Sequence, residues 1–355
     1  MKAMLSLALA SAVGVLTAMP DTADAQDRVR WRMQSAFGSQ LPHLGPPGQR
    51  FSKDIEVMSG GRFEIRFHEP GALVPTLECF DAASKGAVEA CWTTPGFHAG
   101  KYPVLPFFTT VPFGPNINEF LAWKWHGGGN ALRDEIYGAN GLLAFDSYCI
   151  GPETSGWFRR EIKNADDMKG IKMRFFGLGA RVVQKLGVST QLLAPADIFP
   201  ALERGVIDAT EFSMPTMDIK QGFHQVAKFN YFPGWHQLTS CSEILMNKGA
   251  YDKLSDAYKR MIEVASTAQV IYNLSESEHA QSAAMKEMAE KHKVQIKRWS
   301  DEDLAIFEKL WLEVVAEESA KDPLFKKVAD HYLAYRKQFA IWGDAQTLKP
   351  TYLKK

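Results

Sequence analysis

Val29-Arg-Trp-Arg-Met-Gln34 and Phe63-Glu-Ile-Arg-Phe67 flank a segment that begins near Pro47 and ends at Ser59-Gly60-Gly61. In both outer stretches apolar and polar residues alternate, which is typical of a half-buried strand. Proline favours the first turn of a helix, and glycine favours the position just after its last turn. The three segments therefore predict a βαβ unit, the element from which parallel α/β sheets are built.

The rest of the 355-residue chain continues this alternation of helices and strands. In a first unit, the pattern predicts helices near 76–88, 118–125 and 131–137 and strands at 89–94 and 142–150. In a second unit from Gly151, it predicts strands at 171–175, 191–193 and 207–212 and helices at 180–186 and 198–204. A strand at 242–246 is predicted to return to the first unit, and from Tyr251 onward the chain is predicted to be almost wholly helical.

These segments predict an α/β fold with two lobes and a helical C-terminal tail. The predicted division gives residues 26–150 and about 238–275 to lobe 1, 151–237 to lobe 2, and 276–355 to the tail. An apolar stripe in the tail predicts that it packs on the lobes or on a partner chain. The stripe consists of Leu304, Phe307, Leu310, Trp311, Val314 and Val315.

The first 25 residues are typical of a secretory leader. Lys2 precedes a charge-free run from Ala3 to Met19, and Ala23-Asp24-Ala25 is a small-residue processing site that predicts cleavage after Ala25. A membrane anchor is the alternative, but the run is marginal in length for crossing a bilayer. We therefore expect an exported chain that begins at Gln26.

Charge and motif content exclude several classes of function. Basic and acidic residues both number 41, and the pI is about 7.1, which argues against a nucleic-acid partner or binding to anionic membranes through overall charge. The sequence lacks the motifs of zinc proteases, serine hydrolases, phosphate-binding loops and EF-hands. Gly177-Leu-Gly179 resembles a dinucleotide-binding turn, but Val182 replaces its third small residue.

The four cysteines are Cys79, Cys91, Cys149 and Cys241, and they form no CxxC motif. An even number of cysteines in an exported chain is compatible with buried thiols or with one or two disulfides. Three pairings are open, and the spacing does not choose among them.

Two charged residues stand where predicted strands of the second unit end. In Lys169-Gly-Ile-Lys-Met-Arg174, the period of two places Arg174 near the carboxyl end of a strand, where open α/β sheets bind ligands. A guanidinium can bind a carboxylate through two parallel hydrogen bonds. Glu211 ends Asp208-Ala-Thr-Glu211 in the same way. For each residue the alternative is an ordinary solvent-exposed side chain.

Several motifs occur in an order that resembles one family. They are Ser59-Gly-Gly-Arg-Phe-Glu-Ile65, Pro70-Gly-Ala-Leu-Val-Pro75, Phe80-Asp-Ala-Ala-Ser-Lys-Gly-Ala-Val-Glu89, Asp167-Met-Lys-Gly-Ile-Lys-Met-Arg174, Pro200-Ala-Leu-Glu-Arg-Gly-Val-Ile-Asp-Ala-Thr-Glu211 and Pro233-Gly-Trp235. Together with the leader, they resemble the periplasmic solute-binding proteins of TRAP transporters, and most closely the branch that binds 2-oxo or 2-hydroxy monocarboxylates with a metal ion. The resemblance covers most of the mature chain.

That resemblance implies the two-lobe architecture of periplasmic binding proteins, with mixed sheets and a long connecting helix. It also implies a periplasmic protein without catalytic activity that delivers a small organic acid to a membrane permease. In this branch dimers form through the tail, so a homodimer through the C-terminal helices is a further expectation.

The resemblance also implies roles for individual residues. Arg174 matches the arginine that pairs with the ligand carboxylate, and Glu211 and Phe212 match a Glu-Trp pair that holds the metal, the second through its backbone carbonyl. Glu153 and Gln237 stand where the branch has Gln and Glu, so carboxylate and amide are exchanged. If both line one site, two negative charges and all-oxygen ligation remain, which suits Na⁺ or Ca²⁺. Otherwise they are separate solvated loop residues.

Three aromatic residues, Phe37, Tyr102 and Trp157, are weaker candidates for the walls of the ligand site, and plain packing is the alternative for each. A second function class is a secreted, metal-assisted hydrolase or lyase in which Glu153 and Glu211 form an acid/base pair. A third is a structural or signalling partner that assembles through its tail.

Overall fold

Two mixed sheets organise residues 28–346, the part of the chain that the computed structural model describes. The predicted leader, its cleavage after Ala25 and the end of the predicted tail lie outside the described residues. We call the five-stranded sheet and the elements packed on it the first lobe, and the six-stranded sheet and its elements the second lobe. The predicted α/β class with two lobes is confirmed.

The first sheet has the strand order β2-β1-β3-β10-β4. Its strands are β1 (Val29–Ser35), β2 (Phe63–His68), β3 (Ala90–Thr93), β4 (Leu142–Ile150) and β10 (Ser240–Asn247). β1 pairs in parallel with β2 and β3, whereas β10 pairs antiparallel with β3 and β4. Helix α1 (Pro46–Met58) connects β1 to β2, so the predicted βαβ unit is confirmed.

The second sheet has the strand order β11-β9-β5-β8-β6-β7. Its strands are β5 (Gly156–Phe158), β6 (Lys172–Arg174), β7 (Ser189–Gln191), β8 (Ala209–Thr210), β9 (Phe229–Phe232) and β11 (Gln295–Arg298). Strands β5, β9 and β11 were not predicted. Strands β6 and β8 are no longer than these, but each lies within a longer alternating segment, 171–175 and 207–212. The tail, predicted to be helical, thus adds an edge strand to the second lobe.

Helices cover most of the remaining described chain. After α1 they are α2 (Cys79–Ser84), α3 (Ile117–Trp125), α4 (Gly129–Gly138), α5 (Gly179–Lys185), α6 (Pro195–Glu203), α7 (Pro215–Gln221), α8 (Lys248–Asp252), α9 (Asp256–Glu290), α10 (Asp301–Lys321) and α11 (Pro323–Gln346). The predicted helix at 76–88 is shorter than expected, since Gly86 adopts φ 73° and ends it. None of the helices within residues 28–346 combines the length and hydropathy that a membrane crossing needs.

Helix α9 contacts elements of both lobes. Near its middle, the Gln269 side chain donates a hydrogen bond to Asp54 of α1, with an Nε2 to Oδ2 distance of 2.9 Å. Three turns further on, the Gln281 Oε1 accepts a hydrogen bond of 3.1 Å from the backbone N–H of Thr216 in α7. The predicted long connecting helix is therefore α9.

Two disulfides answer the pairing question that the sequence left open. Cys149 of β4 bonds to Cys241 of β10, and Cys79 of α2 bonds to Cys91 of β3. All four cysteines are buried. The first disulfide joins two adjacent strands near the point where the chain leaves the first sheet for the second and later returns.

The tail helices pack on the same chain. The Phe307 ring of α10 lies 5.0 Å from Trp235 and 5.2 Å from Trp299, measured between ring centroids. Tyr332 of α11 packs edge-on against Phe107 at 5.6 Å. Much of the apolar stripe predicted in the tail is therefore buried within the chain itself.

A buried ionic cluster lies beside the first sheet. The Lys124 Nζ is 2.5 Å from Asp146 Oδ1, and the Arg133 Nη1 is 3.0 Å from that same oxygen and 3.8 Å from Glu243 Oε2. The Tyr137 hydroxyl donates a hydrogen bond to Glu243. Burial raises the pKa of Glu243 to about 7, although the Arg133 guanidinium opposes this effect.

We expect Glu243 to make the protein less stable as the pH rises from about 4.5 to about 7. Its carboxyl binds its proton more tightly in the folded than in the unfolded state, so its contribution is complete at low pH and is lost through the folded pKa of about 7. The loss is at most about 3–4 kcal/mol, since the pKa rises from 4.5 to about 7 and one pKa unit equals about 1.4 kcal/mol. Urea unfolding at pH 5 and pH 8 measures it, and Glu243→Gln should show a smaller pH difference than the native protein. An unchanged difference would contradict this assignment.

Candidate functional site

A cavity with an empty volume of about 390 Å³, part of it open to solvent, lies between the two lobes. Its position follows from the sheets, because several lining residues end a strand or closely follow its carboxyl end. Phe37 follows β1 and Thr94 follows β3 in the first lobe, whereas Arg174 ends β6 and Phe212 follows β8 in the second.

One wall of the cavity is formed by β4 and β10. Ile150 pairs with Ser240, and Tyr148 pairs with Ser242, so the four side chains share one face of the sheet and line the cavity. These residues were not predicted as site residues. Both faces of β4 and β10 are buried around them, so no alternation of polarity marked the ligand face.

Arg174 is the central cation of the cavity and is 1% exposed, so the solvent-exposed alternative is wrong. Its Nη1 donates to Glu211 Oε1 at 2.6 Å and to the Glu211 backbone oxygen at 2.8 Å. Its Nε has no hydrogen-bond partner among residues 28–346. The guanidinium carbon lies 5.5 Å from the ring centre of Phe212 and 5.9 Å from that of Phe176.

Glu211 is fully buried behind Arg174. Its Oε1 also accepts the Phe176 backbone N–H at 2.6 Å, whereas its Oε2 lies 3.5 Å from His236 Nε2. Burial acts to raise the pKa of Glu211, but the Arg174 guanidinium and His236 outweigh it, so the pKa falls below its usual value. Glu211 is therefore an ionised carboxylate in a buried site.

Glu153 and Gln237, the exchanged pair, lie side by side in the cavity wall. The Gln237 Nε2 donates a hydrogen bond to Glu153 Oε2, and the Glu153 backbone N–H donates to the Gln237 carbonyl at 3.2 Å. Burial raises the pKa of Glu153 well above its usual value, and the carboxylates of Glu211 and Asp218 raise it further. Neither residue is a solvated loop residue, since both are buried.

The oxygen atoms around Glu153 and Gln237 could serve as ligands of a hard cation. Glu211 Oε2 and Gln237 Oε1 are buried oxygens without a hydrogen-bond donor in the described part of the chain. Ligand atoms of Glu153, Glu211 and His236 lie within 4.8 Å of one another. Buried acceptors without donors are costly unless something else satisfies them. Sequence interpretation did not select His236, although it stands next to Gln237 after Pro233-Gly-Trp235.

The structure corrects two of the predicted wall residues. Tyr102 lies away from the cavity, where its hydroxyl bonds to Asn140 and its ring packs on Phe80. Trp157 is fully buried in β5, and its Nε1–H donates to Asp218 Oδ2 at 2.7 Å. Both rings are packing residues rather than walls. The aromatic walls that were not predicted are Phe97, Tyr148 and Phe176, which join Phe37 and Phe212.

Comparison with known proteins identifies the family to which the chain belongs. Residues 42–322 match the model of bacterial extracellular solute-binding protein, family 7. This chain is a family 7 solute-binding protein. It thereby belongs with the solute-binding proteins of TRAP transporters, as its motifs indicated.

Family 7 relatives resemble the chain over almost its whole length. A monocarboxylate 2-oxoacid-binding periplasmic protein from a Nostoc species is 34% identical over 321 residues, covering 90% of this chain and 87% of the relative. A TRAP solute-binding protein from Bordetella bronchiseptica, with copurified calcium and picolinate, is 31% identical at a TM-score of 0.87, covering 90% of this chain and 95% of that one. One from Pseudoalteromonas atlantica, with sodium and pyruvate, is 31% identical at 0.86, covering 90% and 97%.

Membership of family 7 also decides between the function classes considered from the sequence. Its members are extracytoplasmic solute receptors of transporters and not enzymes. The hydrolase or lyase alternative built on Glu153 and Glu211 is therefore set aside.

Proposed function

We propose that this protein captures a small 2-oxo monocarboxylate between its lobes, together with a cation, and delivers the acid to a TRAP permease. The observation that carries the proposal is a buried arginine, with donor capacity left over, beside two buried carboxylates in a cavity with aromatic walls. The relatives named above bind acids of this kind, which supports the same ligand class here.

Arg174 would hold the ligand carboxylate. One of its terminal nitrogens is committed to Glu211, while its Nε has no partner among the described residues. The bond to Glu211 fixes the guanidinium plane before a ligand arrives, which lowers the entropy cost of binding. Because the site is buried, charge-assisted hydrogen bonds formed there are stronger than in water.

A cation would be held by the carboxylates of Glu153 and Glu211, with the Gln237 amide oxygen and the Phe212 backbone carbonyl completing an all-oxygen set. Na⁺ and Ca²⁺ both accept such ligands, and both occur in solved relatives. Binding of the cation would release the Glu153 proton, and three carboxylates against one guanidinium, counting the carboxylate of the ligand, would then favour the divalent ion on charge balance. When bound, the cation supplies positive charge for the 2-oxo oxygen of the acid.

Phe37, Phe97, Tyr148 and Phe212 would enclose the carbon skeleton of the acid. Phe37 and Phe97 are 5.8 Å apart and Phe37 and Tyr148 are 6.0 Å apart, measured between ring centroids. This contiguous apolar wall excludes water and selects an acid with a short apolar side chain.

A thermal-shift screen tests the proposal. The mature protein is partly unfolded and refolded to remove any carried-over ligand, and is then mixed with 2-oxo acids, lactate or dicarboxylates, each with Na⁺, Ca²⁺ or chelator. A ligand that binds only the native state raises the melting temperature by mass action. We expect a shift with pyruvate-like acids that requires the cation. A shift seen only with dicarboxylates would reject the ligand class.

We further propose that the chain is periplasmic and that its leader is cleaved after Ala25. We propose that lobe 1 comprises residues 26–150 and about 238–275, lobe 2 residues 151–237, and the tail residues 276–355, from which β11 joins the sheet of the second lobe. Intact-mass analysis of protein recovered from the periplasm tests the cleavage site, since a mature chain should begin at Gln26.

We also propose a homodimer through the C-terminal helices. Ile341 and Trp342 near the end of α11 are 80% and 62% exposed, and Leu312 of α10 is 59% exposed. Large exposed apolar residues are typical of a protein–protein interface. Light scattering should give a dimer mass for the native protein and a monomer mass for Ile341→Glu/Trp342→Glu. Val206→Glu, a control at an exposed apolar residue in the second lobe, should leave the mass unchanged. A native protein that is already monomeric would reject the dimer.

A further inference from the structure

Gly96 and Phe176 meet where the two lobes close over the cavity. Gly96 lies in a single 3-10 turn, Pro95–His98, which follows β3 of the first lobe. Phe176 follows β6 of the second lobe and lines the cavity. The contact therefore joins the first lobe to the second.

The space at Gly96 does not admit any side chain. A Cβ atom built on Gly96 would lie 2.6 Å from Phe176 Cε2, 2.9 Å from Cε1 and even closer to Cζ. These separations are far below the van der Waals contact of about 3.5–4.0 Å between carbon atoms. Gly96 does not have a positive φ, so its backbone conformation would accept alanine. Only the approach of Phe176 requires glycine here.

Neither partner can retreat without breaking other contacts. The Gly96 backbone N–H donates to Thr109 Oγ1 at 3.1 Å, which fixes the turn. The Phe176 ring packs edge-on against Phe97, with 5.5 Å between ring centroids. The Phe176 backbone N–H is held by Glu211 Oε1, the same oxygen that accepts Arg174 Nη1.

We propose that Gly96 is a positioning residue for lobe closure: the lobes close on the ligand because position 96 leaves room for the Phe176 ring. This inference rests on the proposed function in that closure is the step that traps the acid. A methyl group at position 96 would push the ring outward and hold the lobes apart. Because Phe176 and Arg174 share Glu211 Oε1, the displacement would also reach the guanidinium that binds the carboxylate.

The test compares four variants by pyruvate titration with Ca²⁺ and by small-angle X-ray scattering. Gly96→Ala carries the steric block, and Gly100→Ala is the matched control, since its added Cβ would meet no atom within 4 Å. Phe176→Leu removes the ring atoms that a Cβ at position 96 would meet. The double variant Gly96→Ala/Phe176→Leu adds the methyl group and removes the ring with which it would clash.

For Gly96→Ala we expect the dissociation constant to rise at least tenfold and the ligand-induced decrease in the radius of gyration to be lost. The Gly100→Ala variant should match the native protein in both measurements. The double variant should close again and bind as tightly as Phe176→Leu alone. Rescue by a second substitution distinguishes a steric block from general destabilisation.

Native-like binding and closure by Gly96→Ala would overturn the inference, as would a double variant no better than Gly96→Ala. If the native protein binds no 2-oxo acid, the proposed function fails, and scattering without ligand then tests Gly96 alone. In that case a smaller fraction of closed molecules for Gly96→Ala than for the native protein would support the inference. Equal fractions would overturn it.

Discussion

Replacement of Arg174 by Met should raise the dissociation constant for the carboxylate ligand by at least a hundredfold. A hydrogen bond to a charged group contributes about 1.5–3 kcal/mol, and two such bonds together exceed a factor of about 100, since about 1.4 kcal/mol is tenfold. The Arg174 side chain is buried, at 1% exposed, so its hydrogen bonds to the ligand meet little competition from water. Isothermal titration with pyruvate and Ca²⁺ measures the change.

The Arg174→Met variant should also lose stability, which the experiment has to separate from binding. Removing Arg174 leaves Glu211 buried without its counter-charge, and breaking a buried pair costs about 3–5 kcal/mol. Arg174→Lys keeps the charge but not the planar fork, so it should be more stable than Arg174→Met and still bind weakly. Arg181→Met, at an exposed arginine of α5, is the matched control. Near-native affinity in a folded Arg174→Met protein would remove Arg174 from the site.

Exchanging the side chains at positions 153 and 237 should largely preserve cation binding, whereas changing one of them should not. Native Glu153 and Glu211 place two carboxylates in the site, and Glu153→Gln leaves one. We expect Glu153→Gln to weaken Ca²⁺ binding at least tenfold, because affinity of an oxygen site follows its number of charged ligands. Glu153→Gln/Gln237→Glu restores two carboxylates at adjacent positions and should recover most of the loss.

Calcium titration of ligand-free protein, followed by acid titration with and without chelator, measures both effects. Glu203→Gln changes the net charge equally at an exposed position of α6 and should leave both affinities unchanged. If Glu153→Gln and the double variant bind Ca²⁺ equally well, the carboxylate count does not govern the site. If no variant and no native protein binds a cation, Arg174 alone must orient the acid.

The sequence predicts the elements whose signals are local. The βαβ unit of β1, α1 and β2 and the long strand β4 have clear periodicity over several residues, so their positions could be predicted closely. Strands β5 and β9 show no alternation of apolar and polar residues, and they pair with each other within the second sheet. Such short pairings depend on residues distant in the chain, which no local pattern records.

The site residues also differ in whether a local sequence signal identifies them. Arg174 and Glu211 could be selected because strand ends in α/β sheets point towards ligands. The prediction that Tyr102 and Trp157 form walls of the ligand site is wrong, because the sequence does not show which way an aromatic ring points. Gly96 could not be singled out, since its requirement for glycine comes from an aromatic ring of the other lobe rather than from its own backbone.

The edge strand β11 has a consequence for the order in which the chain acquires its structure. Five strands of the second sheet lie within residues 156–232, and the sixth is Gln295–Arg298. The first sheet is complete only with β10 at Ser240–Asn247. A chain that emerges amino end first from a ribosome or a translocation channel can complete neither sheet until most of it has appeared. Pairings this distant in sequence form slowly. Both sheets are therefore completed late, after most of the chain has emerged.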